Sequence, residues 1–121
     1  MEEIGIESTL VEAIRNGDKT IEAQLGKPHI LKIHEDDIIS FREDFWYEGK
    51  ILESLSHAVR IKVTQVLYFE TFKEMLEAVD FQAAVPTATT VDEALKTYTA
   101  LYSPEDEKEY GVVAFMFEIA S

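Results

Sequence analysis

The sequence predicts an α+β fold built on one mostly antiparallel, curved sheet or β-barrel with flanking helices. Three observations carry that expectation. Capping signatures mark helix starts at several points, segments of alternating polarity mark strands between them, and the two kinds of element do not alternate as a doubly wound parallel sheet requires. At 121 residues the chain has the length of one ordinary domain, so residues 1–121 are expected to form a single unit with its own core.

Each element follows from local pattern. Thr9-Leu-Val-Glu12 has capping-box form, with Leu10, Ala13 and Ile14 on one face and Gly17 as the stop. Lys19–Leu25 alternates as a strand, Ile21, Ala23 and Leu25 on one side and Thr20, Glu22 and Gln24 on the other. Ile38–Arg42 is a second strand, and Asp44–Ser56 is expected to be the loosest segment. In Ala58–Phe69, Val59, Ile61 and Val63 alternate with Arg60, Lys62 and Thr64, and the phase slips near Gln65-Val66, which predicts a bulge. Thr71-Phe-Lys-Glu74 and Thr90-Val-Asp-Glu93 repeat the capping box. Ser103-Pro104 opens a further short helix with proline at its first position. Gly111–Ile119 is nearly all apolar, as a strand buried on both faces requires.

Composition narrows the function. With 46% hydrophobic and 29% charged residues the chain is globular rather than disordered. The absence of cysteine excludes disulfides, thiolate metal sites and a cysteine nucleophile, and it fits the reducing cytoplasm where this protein is expected to work. Met1–Gly5 lacks the basic start of a secretory signal, and no apolar run is long enough to span a bilayer, so no membrane association is expected. A net charge of −13 makes this an acidic protein and argues against binding long DNA or RNA, because phosphate neutralisation needs lysine and arginine. Only residues 15–34 and 54–69 are net positive, at +2 each, which places an anionic or electron-rich ligand between those stretches.

Several chemistries lack their residues. The five glycines stand apart and form no phosphate-binding loop. His29 and His34, on opposite faces if their segment is a strand, cannot share a metal, and His57 is distant in sequence. No cofactor and no metal are expected, and no sequence feature names a protein partner. Phe45-Trp46-Tyr47 is expected to plug the end of the barrel, with a stacking platform for a base as the alternative.

The informative segment runs from Asn16 to Leu25, where a helix stops at Gly17 and a strand opens on Lys19. On polarity alone, Thr20, Glu22 and Gln24 form the solvent-facing side of a half-buried strand, and Lys19 is an exposed residue of little weight in stability. The same segment resembles the signature of the ASCH family of the PUA-like superfamily, G-x-K-x-x-E-x-R: Gly17, Lys19 and Glu22 match, and Gln24 stands where arginine is usual. Asp37-Ile-Ile-Ser-Phe41 resembles that family's G-D-x-I-x-F strand, with Asp36 for glycine. Phe69–Leu76, Pro86, the Tyr98–Tyr102 helix end and Tyr110-Gly-Val-Val113 resemble its small stand-alone prokaryotic members. The resemblance spans roughly Thr9 to Ile119, with Asp44–Ser56 as an insertion.

That resemblance implies a PUA-like β-barrel with flanking helices and a cleft lined by the signature strand, and it links the chain to RNA or modified-nucleoside recognition. The expected ligand site is Lys19, Thr20, Glu22 and Gln24, with Arg60 or Lys62 near the rim. The expected partner is a nucleoside, a nucleotide or a short RNA segment. Lys19 would supply positive charge, Glu22 would accept from amino or imino groups, and Gln24 could donate and accept. Glutamine in place of arginine at position 24 removes a bidentate fork for phosphate. One branch of the family is an acetylcytidine amidohydrolase thought to use a lysine, a threonine and a glutamate. Its lysine falls on Lys19, its threonine on Glu22, and its glutamate near Thr87, where this chain has no acid. In the alternative reading, as a hydrolase of an acylated nucleoside, Lys19 would activate water or attack directly and Glu22 would shuttle the proton.

Overall fold

Local capping chemistry sets most helix starts. The structure, a computed structural model, describes residues 3–120, and in it the hydroxyls of Thr71, Thr90 and Ser103 accept from the backbone N–H of Glu74, Glu93 and Asp106 at 3.0, 3.1 and 3.1 Å. The order of elements is β1 (Glu3–Glu7), α1 (Ser8–Arg15), β2 (Ile21–Leu25), α2 (Pro28–Leu31), β3 (Ile38–Tyr47), β4 (Lys50–Phe69), α3 (Phe72–Ala78), α4 (Phe81–Ala84), α5 (Val91–Thr99), α6 (Pro104–Tyr110) and β5 (Val112–Ile119).

The first helix departs from its expected start. Thr9 is not its cap: α1 opens at Ser8 with Glu7 as the capping residue, and no side chain closes that end. The reason is β1, which runs directly into α1 without a turn; the Thr9 hydroxyl donates instead to the Glu7 carboxylate. Gly17 does stop the helix, at a φ of 87° that few side chains tolerate.

All five strands belong to one sheet in the order β1-β3-β4-β5-β2. Among the described residues only β1 and β3 pair in parallel; the other three pairings are antiparallel. The α+β class and mostly antiparallel sheet are thus as expected, and the expected barrel is not: the sheet stays open, because edge strands β1 and β2 make no ladder with each other. The predicted bulge lies between Val63 and Gln65, where the β4–β5 register shifts.

Asp44–Ser56 is not a loose insertion either. It completes β3 and begins β4 as a hairpin arm that pairs Trp46 with Ile51 and Tyr47 with Lys50 around Glu48 and Gly49. Both turn residues have positive φ, 50° and 77°, as a hairpin turn matching strand twist requires.

Two apolar clusters lie against the sheet. One gathers Ile4, Ile6, Val11, Ile14, Ile39, Phe41, Ile61, Phe115 and Phe117 with α1 and α2. The other gathers Ile21, Ala23, Leu25, Phe72, Met75, Leu76, Ala94 and Tyr98 around α3, α4 and α5. Strand β5 serves both, Val113, Phe115 and Phe117 facing the first and Val112 and Ala114 the second, so its continuous apolar character follows from two-sided burial.

Candidate functional site

The seam between β1 and β2 holds a cavity of about 570 Å³. Gly5, Ile6 and Glu7 of β1 line one side and Glu22, Ala23 and Gln24 of β2 the other. Lys19, Ala84, Val85, Tyr98 and Tyr102 line it from the loops and helices, and Asp44 and Trp46 from the arm. Antiparallel pairing sets Glu22 opposite Phe115 and Gln24 opposite Val113, so both polar residues share the face of the first apolar cluster rather than facing open water.

Lys19 is 1% exposed. Its ammonium donates to the carbonyls of Ile21 at 2.7 Å and Ala84 at 2.6 Å and pairs with Glu22 Oε1 at 3.1 Å, which accounts for all three of its protons. The other Glu22 oxygen accepts from Gln24 Nε2 at 2.6 Å, and the Tyr102 hydroxyl donates to Gln24 Oε1 at 3.3 Å. This chain fixes the amide: a carboxylate on one side can only accept, so the Gln24 nitrogen faces it and the oxygen faces the phenol. Burial, and then the negative charge of Glu22, push the Tyr102 phenol up to about 12, so it stays a donor throughout the physiological range. The same two causes, burial first, raise Tyr98 well above its ordinary value. Phe72 stacks nearly parallel on both rings, with centroids 4.6 Å from Tyr98 and 5.2 Å from Tyr102.

On the arm side, Arg42 grips Asp44 through Nε at 2.7 Å and Nη2 at 3.0 Å, and Ser54 donates to the same carboxylate at 2.7 Å. Gly5 makes this possible: a Cβ there would lie 2.3 Å from Arg42 Nη2 and 2.6 Å from Asp44 Oδ2. The Arg42 hydrogen bond, against the opposing effect of burial, holds the Asp44 carboxyl below its ordinary value of 3.8. A depressed carboxyl stabilises the fold above its unfolded value, and that contribution is lost as pH falls through the folded one. The stability difference between the natural protein and Asp44→Asn is therefore expected to be largest near neutrality and to shrink below about pH 4. Urea midpoints of both proteins from pH 7 to pH 3 check this; a difference that grows on acidification contradicts it.

Of the residues singled out from sequence, Lys19, Glu22 and Gln24 come together at the cavity floor. Thr20 is exposed and outside the lining, although its backbone N–H donates to Ala83 and its carbonyl accepts from Phe117. Arg60 and Lys62 are also outside the lining; Lys62 lies 3.6 Å from Asp36. Thr87 is not part of it. Trp46, 51% exposed, lines the cavity from the arm, and because the sheet stays open there is no barrel end for Phe45-Trp46-Tyr47 to plug. Tyr98, Tyr102 and Asp44 join the site without a sequence signal that marks them as polar contributors. Among the described residues no three His, Asp or Glu side chains stand together to hold a metal, and no helix is long and apolar enough to cross a membrane.

Comparison with known proteins places this geometry. No curated protein matches the chain. A crystal structure of the hypothetical protein PH0355 superposes with a TM-score of 0.83 at 32% identity, covering 99% of this chain and 100% of that one. The solution structure of protein PF0455 from Pyrococcus furiosus superposes with a TM-score of 0.73 at 28% identity, covering 99% and 97%. The family model for the ASCH domain matches residues 4–121. Spanning nearly every residue from β1 through β5, that match shows that the chain belongs to the ASCH domain family.

Proposed function

We propose that this ASCH protein is a nucleobase-binding module that takes a nucleoside, a nucleotide or one base of a short RNA segment into the cavity between β1 and β2. The observation that carries the reading is the polar chain Lys19–Glu22–Gln24–Tyr102 at the floor of a largely apolar cavity whose other charged lining residues are Glu7 and Asp44. A few convergent polar groups in an apolar pocket of a few hundred Å³ is the usual design of a small-molecule site. Glu22 has lone pairs left to accept from a base amino or imino group, and the second Gln24 N–H is free to donate to a ring nitrogen or carbonyl. The half-exposed Trp46 supplies a face for stacking.

Lys19 has a different role from the one its position in the motif suggests. With its three protons engaged it holds Glu22 in place and is a positioning residue rather than a ligand contact. The hydrolase reading needs that amine free to meet substrate or water, and it needs an acid near Thr87, which lies outside the cavity lining. Binding without turnover is the better supported function.

Calorimetric titration with nucleosides tests the proposal. Gln24→Leu should keep the far-ultraviolet circular dichroism of the natural protein and weaken nucleoside binding roughly 10- to 100-fold, the usual consequence of leaving a buried polar partner unmatched. Equal affinity in the variant would sink the assignment. Chromatographic appearance of free cytidine from acetylcytidine, above background, would replace the binder by the hydrolase.

A further inference from the structure

We infer that the cavity selects a phosphate-free ligand, a nucleoside or free base presenting an amino group to Glu22, and turns the corresponding 5′-phosphorylated form away; this deepens, and rests on, the nucleobase reading above. The inference comes from the ownership of each charge. Three carboxylates line the cavity, Glu7, Glu22 and Asp44, against one ammonium, Lys19. That ammonium is sealed beneath Glu22 with two carbonyls and a carboxylate as its partners. Arg42, which grips the lining residue Asp44, is committed to that carboxylate through two hydrogen bonds. A phosphate entering here finds no unengaged cation and meets acceptor oxygens.

One feature of the wall could favour an anion, the N-terminus of α1, which approaches the cavity at Leu10. No side chain caps that end, but the residue at the cap position is Glu7, which lines the same cavity and accepts from the Thr9 hydroxyl, so an incoming anion meets a negative charge beside the helix terminus. The lone pairs still available on Glu22 favour N–H donors and repel a carbonyl. Adenosine, cytidine and guanosine offer an amino group; uridine offers carbonyls on both sides of its single ring N–H.

The experiment is calorimetric titration of the full chain with these four nucleosides and their 5′-monophosphates at low and at high salt. At low salt each amino-bearing nucleoside should bind at least about tenfold more tightly than its monophosphate, because one or two extra negative charges approach the Glu7 carboxylate while Lys19 and Arg42 stay engaged with Glu22 and Asp44. Added salt should narrow that gap by screening, so monophosphate binding strengthens with salt, opposite to the trend for phosphate held by lysine and arginine. Uridine should be the weakest nucleoside. Glu7→Gln should raise monophosphate affinity more than nucleoside affinity. Monophosphates that bind as tightly as nucleosides at low salt, or that weaken as salt rises, would overturn the selectivity and leave the nucleobase reading standing. If no nucleoside or monophosphate binds at all, the nucleobase reading falls and the selectivity with it.

Discussion

Lys19→Met is expected to lower the free energy of unfolding by about 3–5 kcal/mol, the usual cost of removing one partner from a buried ion pair. Methionine keeps most of the volume, so the loss reports charge and hydrogen bonding rather than a void. Without the ammonium, Glu22 is left buried with only Gln24 as a partner, and the carbonyls of Ile21 and Ala84 lose a donor. The second contact ties the start of β2 to the end of α4, 65 residues later, so it is a tertiary fastening and not a local one. Urea unfolding at neutral pH measures the effect. The double variant Lys19→Met with Glu22→Leu should recover much of it, because replacing both members of a buried pair by apolar groups is often close to neutral. A single-variant loss below about 1 kcal/mol, the range of an exposed pair, would mean that the Lys19–Glu22 contact is solvated in solution.

How far the sequence could be read depended on the range of the interaction. The caps at Thr71, Thr90 and Ser103 were legible because acceptor and donor lie three residues apart. The β4 bulge was legible because a slipped register interrupts a period-two pattern. By contrast β1 has only Ile4 and Ile6 to announce it and leads into α1 with no turn residue between, so nothing local separates strand from helix. The arm was misread for a related reason: Lys50–His57 is exposed along its whole length, and a strand without a buried face has no polar–apolar alternation to display. Gly49 gave a turn signal, weakened by Glu48 standing where asparagine or aspartate is usual.

The site divides in the same way. Period two put Glu22 and Gln24 on one face, and the pairing with β5 keeps them there. Their burial was not legible, since the groups that enclose them come from α4, from Tyr102 and from β1. Charge counted along the chain also misled. Arg60 and Lys62 looked like partners of the Lys19 region because both stretches are positive, yet β5 lies between β4 and β2 in the sheet, which keeps those cations away from the cavity. The motif lysine itself was read as exposed because lysine almost always is; only the distant Ala84 carbonyl and the neighbouring Ile21 carbonyl and Glu22 carboxylate make its burial tolerable.

Phe72→Ala is expected to cost about 3–5 kcal/mol in stability, the range for removing a buried aromatic ring from a packed core. Phe72 opens α3 directly after its Thr71 cap and is 1% exposed, so the ring is both positioned by the helix start and fully enclosed. Its face supports Tyr98 and Tyr102 together, which means its loss frees two cavity residues at once. Tyr102 would then no longer hold the Gln24 oxygen, and the amide could rotate away from the orientation that Glu22 and the phenol impose. Tyr102→Phe separates the two consequences. It removes the hydroxyl while keeping the stack, so it should cost only about 1 kcal/mol in stability, the net value of a typical hydrogen bond, yet weaken nucleoside binding through the same loosened amide. Urea denaturation and nucleoside titration on both variants give the comparison. The expected pattern is a large stability loss confined to Phe72→Ala, with weakened binding in both. If Tyr102→Phe binds as tightly as the natural protein, the phenol does not orient Gln24 for the ligand, and the aromatic stack serves the core alone.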